Sequence, residues 1–179
     1  MSLPQNGRIA LVAAVIYLAD QATKMAVMKL LRLTDQYILV DGFFKFVHWG
    51  NTGAAWSMFR GNNALLAFIS FLALLVLLFN RRQFESGTLP GQIALGLIVG
   101  GILGNLTDRL RFGYVVDFLY FHLYRRGGGE IGFPAFNVAD SAICTGVGLL
   151  FIVTWVNETK AKAPPPREDG NPQTRLQQG

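Results

Sequence analysis

The sequence predicts an all-α membrane protein: four transmembrane helices, with a small extramembrane β-sheet and an interfacial helix and loop. Three observations predict this. Four apolar segments approach or reach the ~20 helical residues needed to cross a bilayer core. Of the 179 residues 51% are hydrophobic and only 15% charged, with a mean hydropathy of +0.35. The stretches between the apolar segments are rich in aromatic and β-branched residues, which suit strands and membrane interfaces better than free loops.

The first span is expected over about 9–31, from "IALVAAVIYLA" onward through Asp20 and Lys24. Arg8 before a short apolar run also resembles a secretory signal peptide. Three further spans and the lack of a clear small-residue cleavage site favour a retained helix. A surface sheet is expected over about 36–60, where Asp41-Gly42 between two apolar runs signals a hairpin. Trp49 and Trp56 then sit at headgroup depth. The second span covers about 63–80 and the third about 92–110. Gly96, Gly100 and Gly104 recur every four residues along the third, so one face admits a close neighbour helix. Residues 118–136, "LYFHLYRRGGGEIGFPAF" at their core, read as a short interfacial helix followed by a flexible flap loop. The fourth span covers about 137–156, with Asp140 its only charge. The tail over 161–179 has the composition of disorder.

The net charge of +5 fits anionic lipid headgroups in so apolar a chain, and no nucleic acid is expected. A single cysteine, Cys144, excludes an internal disulfide and any multi-cysteine metal site, and reads as a small buried residue. His48 and His122 read as interfacial residues. Four spans put both termini and the loop between spans two and three on one side. Lysines and arginines divide seven on that side to nine on the other, so the positive-inside rule leans against a cytoplasmic placement of the termini.

Ionisable groups inside spans cost about 2.5–3.5 kcal/mol each on insertion scales, which makes them candidates for function. Asp20 and Lys24, four apart on a helix, read as an ion pair at the outer end. Asp108 and Arg109 close the third span and read as structural or lipid-contacting, Arg109 holding phosphates or carbonyls of its own chain. Asn51 lies in the turn-like "NTGAA", where its amide can hold the loop or an extended peptide. Asp117 lies just beyond the third span and Asp140 one turn into the fourth. Antiparallel spans bring both to one interface, where two neighbouring carboxylates share a proton, the arrangement of an aspartic protease. Asn137, three residues before Asp140, is placed to orient them. A cation site or a packing pair stays open on this ground alone.

The blocks "DQATK" (20–24), "NTGAAWS" (51–57), "GGILGNLTDRLRFGYVVDF" (100–118) and "FPAFNVADS" (133–141) together resemble lipoprotein signal peptidase, signal peptidase II, a bacterial intramembrane aspartic peptidase family. The resemblance covers nearly the whole chain apart from the tail. It implies a multi-pass inner-membrane protein, both termini cytoplasmic, with a periplasmic sheet cradling the substrate and the active site near the periplasmic face. It places the catalytic pair on Asp117 and Asp140, and supporting polar residues on Asp20, Lys24, Asn51, Asn105, Asp108, Arg109 and Asn137. The implied substrate is a prolipoprotein whose cysteine carries a diacylglyceryl group, cut just before that cysteine. No metal or organic cofactor is implied, and a monomer in contact with membrane lipids is expected. The stretch containing "RRGGGE" is a few residues longer than the family pattern.

Other classes fit less well. A transporter calls for charge at mid-span, whereas Asp108, Asp117 and Asp140 cluster at one end. No H-E-x-x-H supports a zinc peptidase and no G-x-S-x-G a serine one. An assembly protein explains the glycine face but not two aspartates flanking one loop.

Overall fold

The computed structural model describes residues 3–53, 61–81, 83 and 87–162. Three helices are long and apolar enough to cross a membrane: α1 (Gln5–Leu30), α3 (Leu89–Phe112) and α4 (Val138–Lys162). A shorter apolar helix, α2 (Asn63–Phe79), lies between the first two. A four-stranded antiparallel sheet completes the chain, in the order β1 (Gln36–Val40), β2 (Phe44–Asn51), β3 (Val115–Tyr124), β4 (Glu130–Gly132). "All-α" therefore understates the strand content.

Helix α3 is the central element, and α1, α2 and α4 all pack on it. Local chemistry sets its ends. The Thr88 side chain accepts the Gly91 N–H at 3.2 Å, Pro90 occupies the first turn, and Gly113 closes the helix at φ 79°, where a side chain would be strained. Its glycines set the helix spacing. A Cβ on Gly100 would lie 2.6 Å from the Ala13 carbonyl oxygen of α1, and one on Gly101 2.5 Å from the Ala139 carbonyl oxygen of α4. The Gly96–Gly100–Gly104 face expected from the sequence thus receives α1, while Gly101 receives α4. Backbone cannot yield as a side-chain tip can, so Gly101→Ala should destabilise the bundle by about 1–3 kcal/mol. An unchanged melting temperature in detergent would show that the α3–α4 spacing has slack.

The sheet sits at the end of the bundle where α1 and α3 finish and α4 begins. Gly42, at φ 69°, makes the β1–β2 turn expected at Asp41-Gly42. The segment read as an interfacial helix and loop is instead a hairpin. Strand β3 runs through Leu119–Tyr124, Gly128 and Gly129 turn at φ 88° and 85°, and β4 returns. Residues Val115–Tyr124 are all β-branched, aromatic or leucine apart from Asp117 and His122, a composition that favours a strand once β2 offers an open edge. Phe136 then bridges to Leu119 and returns the chain to the bundle. The hairpin is clasped by Lys45, whose Nζ meets both Glu130 carboxylate oxygens at 2.8 and 2.9 Å.

Three expectations need correction or fall elsewhere. His48 and His122 are buried, not interfacial. His48 Nδ1 lies 2.9 Å from the Leu31 carbonyl oxygen, and His122 stacks on Tyr120. Cys144 faces outward from the bundle. Residues 54–60 of the expected sheet, with Trp56 and Ser57, and the expected tail from 163 onward lie outside the described residues.

Candidate active site

The cap of helix α4 builds the first half of the site. The Asn137 side-chain oxygen accepts the Asp140 N–H at 2.9 Å, and Asp140 Oδ2 accepts the Asn137 N–H at 3.2 Å. This reciprocal capping box satisfies two otherwise orphaned donors and fixes the Asp140 carboxylate against the helix end. Its other oxygen, Oδ1, accepts from Asn105 Nδ2 of α3 at 2.7 Å.

Strand β3 brings the second half. Asp117 faces β2, where Asn51 Nδ2 donates to its Oδ2 at 2.9 Å. Asn137 Nδ2 donates to its Oδ1, also at 2.9 Å. One asparagine therefore grips both carboxylates, Asp117 through its amide nitrogen and Asp140 through its cap. Asp117 is 3% exposed. Burial first, then the charge of Asp140, lift its carboxyl from the ordinary 3.8 to about 7, against the opposing pull of Asn51, Asn137 and Lys24.

Behind the pair lies a buried ionic frame. Lys24 Nζ meets Asp20 Oδ2 and Asp108 Oδ2, each at 2.8 Å, and Asn105 Oδ1 at 3.0 Å, using all three donors. Each of these two aspartates also holds a backbone N–H. Asp108 Oδ2 accepts from Val116 at 3.1 Å and Asp20 Oδ1 from Ala139 at 2.9 Å. Val116 and Ala139 immediately precede Asp117 and Asp140 in the sequence. A single ammonium thus ties together the backbone supports of both carboxylates. Gln21 completes the frame, donating to Asp108 Oδ1 at 2.9 Å and to the Gly104 carbonyl at 3.3 Å. Sequence reasoning passed over Gln21; its one signal was an amide inside an apolar span beside Asp20.

Arg109 lies within electrostatic reach of Asp117, Asp140 and Asp108 but makes its hydrogen bonds elsewhere. Its Nη2 donates to the Gly53 carbonyl at 2.8 Å and its Nη1 to Asn63 Oδ1 at 3.2 Å. It holds the loop after β2, and Asn51 Oδ1 accepts the Gly53 N–H at 2.9 Å in the same turn. All nine residues singled out in the sequence therefore gather at one end of the bundle, eight in a continuous hydrogen-bonded network and Arg109 joined to Asn51 through Gly53. A buried carboxylate pair held by amides, with the Asp117 carboxyl raised to about 7, can activate water and donate a proton.

A profile of the family "Signal peptidase (SPase) II" matches residues 12–156. The chain belongs to the signal peptidase II family. Lipoprotein signal peptidases similar to it include that of Syntrophotalea carbinolica, 38% identical over 158 residues, covering 87% of this chain and 95% of that protein. That of Symbiobacterium thermophilum is 40% identical over 155 residues, covering 87% and 97%. A solved structure, described as a bacterial membrane enzyme obtained by the in meso method at 2.3 Å resolution, superposes with a TM-score of 0.75. It is 30% identical and covers 88% of this chain and 92% of its own. As a signal peptidase II, the chain is an aspartic peptidase that removes signal peptides from prolipoproteins. Its apolar helices and its family make it a multi-pass membrane protein.

Proposed function

We propose that Asp117 and Asp140 are the catalytic pair of this peptidase, cutting a diacylglyceryl-modified prolipoprotein just before the lipidated cysteine. The observation that carries the proposal is Asn137, which donates to both carboxylates at once, from its side-chain amide to Asp117 and from its backbone N–H to Asp140. The ionised carboxylate takes a proton from water; the protonated one donates to the scissile carbonyl as the tetrahedral oxygen develops. The Asp117 carboxyl, raised to about 7, keeps a proton available to the pair up to about neutral pH. Asn51 and Asn105 orient the two side chains, Asp20, Lys24 and Asp108 fix their backbones, and Arg109 supports the loop beside Asn51.

The test is purified protein in detergent with a diacylglyceryl prolipoprotein, followed for loss of the signal peptide across pH. Turnover should fall as pH rises through about 7, because the proton on Asp117 is lost and none remains for the carbonyl. A rate still climbing at pH 9 would overturn the assignment of the proton.

The same reading makes residues 1–160 one monomeric domain in contact with lipid, with α2 as a fourth span in the bacterial inner membrane. The 17 residues of α2 fall short of the usual ~20, so local thinning or flanking polar residues must make up the difference. Both termini are then cytoplasmic and the carboxylates lie near the periplasmic face, where a lipidated cysteine would present itself. Residues 118–136 wall the site there. A Gly127→Cys protein in a Cys144→Ala background should react with a membrane-impermeant thiol reagent in cells with a permeabilised outer membrane. Protection until the inner membrane is lysed would turn the orientation over.

A further inference from the structure

At the opposite end of the bundle from the carboxylates, α1 and α2 both pack on α3, and among the described residues no Cα of one comes within 8 Å of the other. The gap between them is a crevice of about 400 Å³. Asn6 and Arg81 stand at its polar mouth; Ala10, Ala14, Tyr17 and Leu78 line its side. The catalytic reading leaves it unused.

We propose that this crevice binds one acyl chain of an anionic phospholipid from the leaflet at the chain-termini side, with the lipid phosphate on Arg81. From Asn6 to Tyr17 the crevice follows α1 for about 16 Å, at 1.5 Å per residue. That is close to the depth of one leaflet, half of a ~30 Å core. The size suits such a chain. Taking a methylene as roughly the size of a liquid water, about 30 Å³, the crevice of about 400 Å³ holds a chain on the order of 13 carbons. A helical signal peptide, about 10–12 Å across, would seat only one face in it. Charge points the same way. Among the described residues Arg81 makes no hydrogen bond or ion pair, whereas Arg8 is engaged by Gln92 at 3.5 Å. A free guanidinium attracts a phosphate and repels the positively charged start of a signal peptide. Small side chains at positions 10 and 14 leave the room.

Native mass spectrometry of the full protein in a neutral detergent tests this, with phosphatidylglycerol and phosphatidylcholine supplied separately. Phosphatidylglycerol should be retained about fivefold better, the effect of one interfacial cation. Arg81→Gln should remove that preference, and Ala14→Trp should lower retention of both lipids. Ala10→Phe gives a second filling of the crevice if Ala14→Trp does not insert. Arg111→Gln, a cation at the other end of α3, should change nothing. Prolipoprotein cleavage by each variant confirms folding independently. Equal retention of the two lipids would overturn the proposal, as would a preference that survives Arg81→Gln or disappears with Arg111→Gln. So would full retention by both filled variants, or displacement of the lipid by a synthetic signal peptide.

Discussion

Asp117→Asn is expected to lower turnover by at least about 10³-fold, the scale of lost proton transfer, and yet to melt higher than the parent protein at pH 8. The two effects share one cause. In the folded protein the Asp117 carboxyl titrates at about 7, above its ordinary 3.8, so folding favours the protonated form. The contribution of Asp117 to the parent's stability is fullest below pH 3.8, falls as pH rises from 3.8 to 7, and stays reduced above that. That interval corresponds to a penalty of the order of 4 kcal/mol, which an amide at this position avoids. The gain falls short of that figure, because the new amide nitrogen faces a donor from Asn51 or Asn137. At pH 4 the protonated carboxyl and the amide are nearly equivalent, and the two proteins should melt together. Asp140→Asn should lose activity to the same degree. Appreciable cleavage by either variant, inserted at normal levels, would sink the aspartate pair. A Tm gain that is the same at pH 4 and pH 8 would mean that charge is not its source.

Lys24→Met is expected to be the most damaging substitution for folding. Lys24, Asp20 and Asp108 are at most 1% exposed, and removing the ammonium leaves two carboxylates buried without a counter-ion. Breaking a buried pair in this way costs about 3–5 kcal/mol, a large part of a typical domain's stability. The protein should accumulate poorly in the membrane. Neutralising the whole frame, with Asp20→Asn, Lys24→Met and Asp108→Asn combined, should recover much of the loss. Amide oxygens at positions 20 and 108 can still accept from Ala139 and Val116. If the triple variant accumulates no better than Lys24→Met alone, shape and not charge governs this site.

Much of the site was legible because polar residues in an apolar chain announce themselves. Asp20, Lys24, Asn105 and Asp108 stand out against runs with no other charge, and Asn137 and Asp140 are spaced three apart as a cap requires. The frame that joins them was not legible. Which backbone N–H each aspartate holds depends on how closely α1 and α4 approach α3, and glycine contacts decide that. The β3–β4 hairpin was missed for a different reason. A strand half exposed to solvent alternates, whereas the accessibility of β3 runs from four buried residues to a mostly exposed end. Strand β3 leaves the bundle lengthwise, so its burial follows depth rather than face, and no period of two is written into it.

The hydrogen bond from Ala139 to Asp20 spans 119 residues and joins the first helix to the last. It has a consequence for the order of events on the ribosome. At about 5–20 residues per second, Asp140 is made roughly 6–24 s after Asp20. For most of that interval α1 carries an aspartate and a lysine into the bilayer with their later partners not yet made. Their i, i+4 spacing lets each neutralise the other from the outset. Asp108 arrives next and finds the ammonium waiting. Only the last helix supplies Asn137 and Asp140, so no unfinished chain holds a complete pair of aspartates.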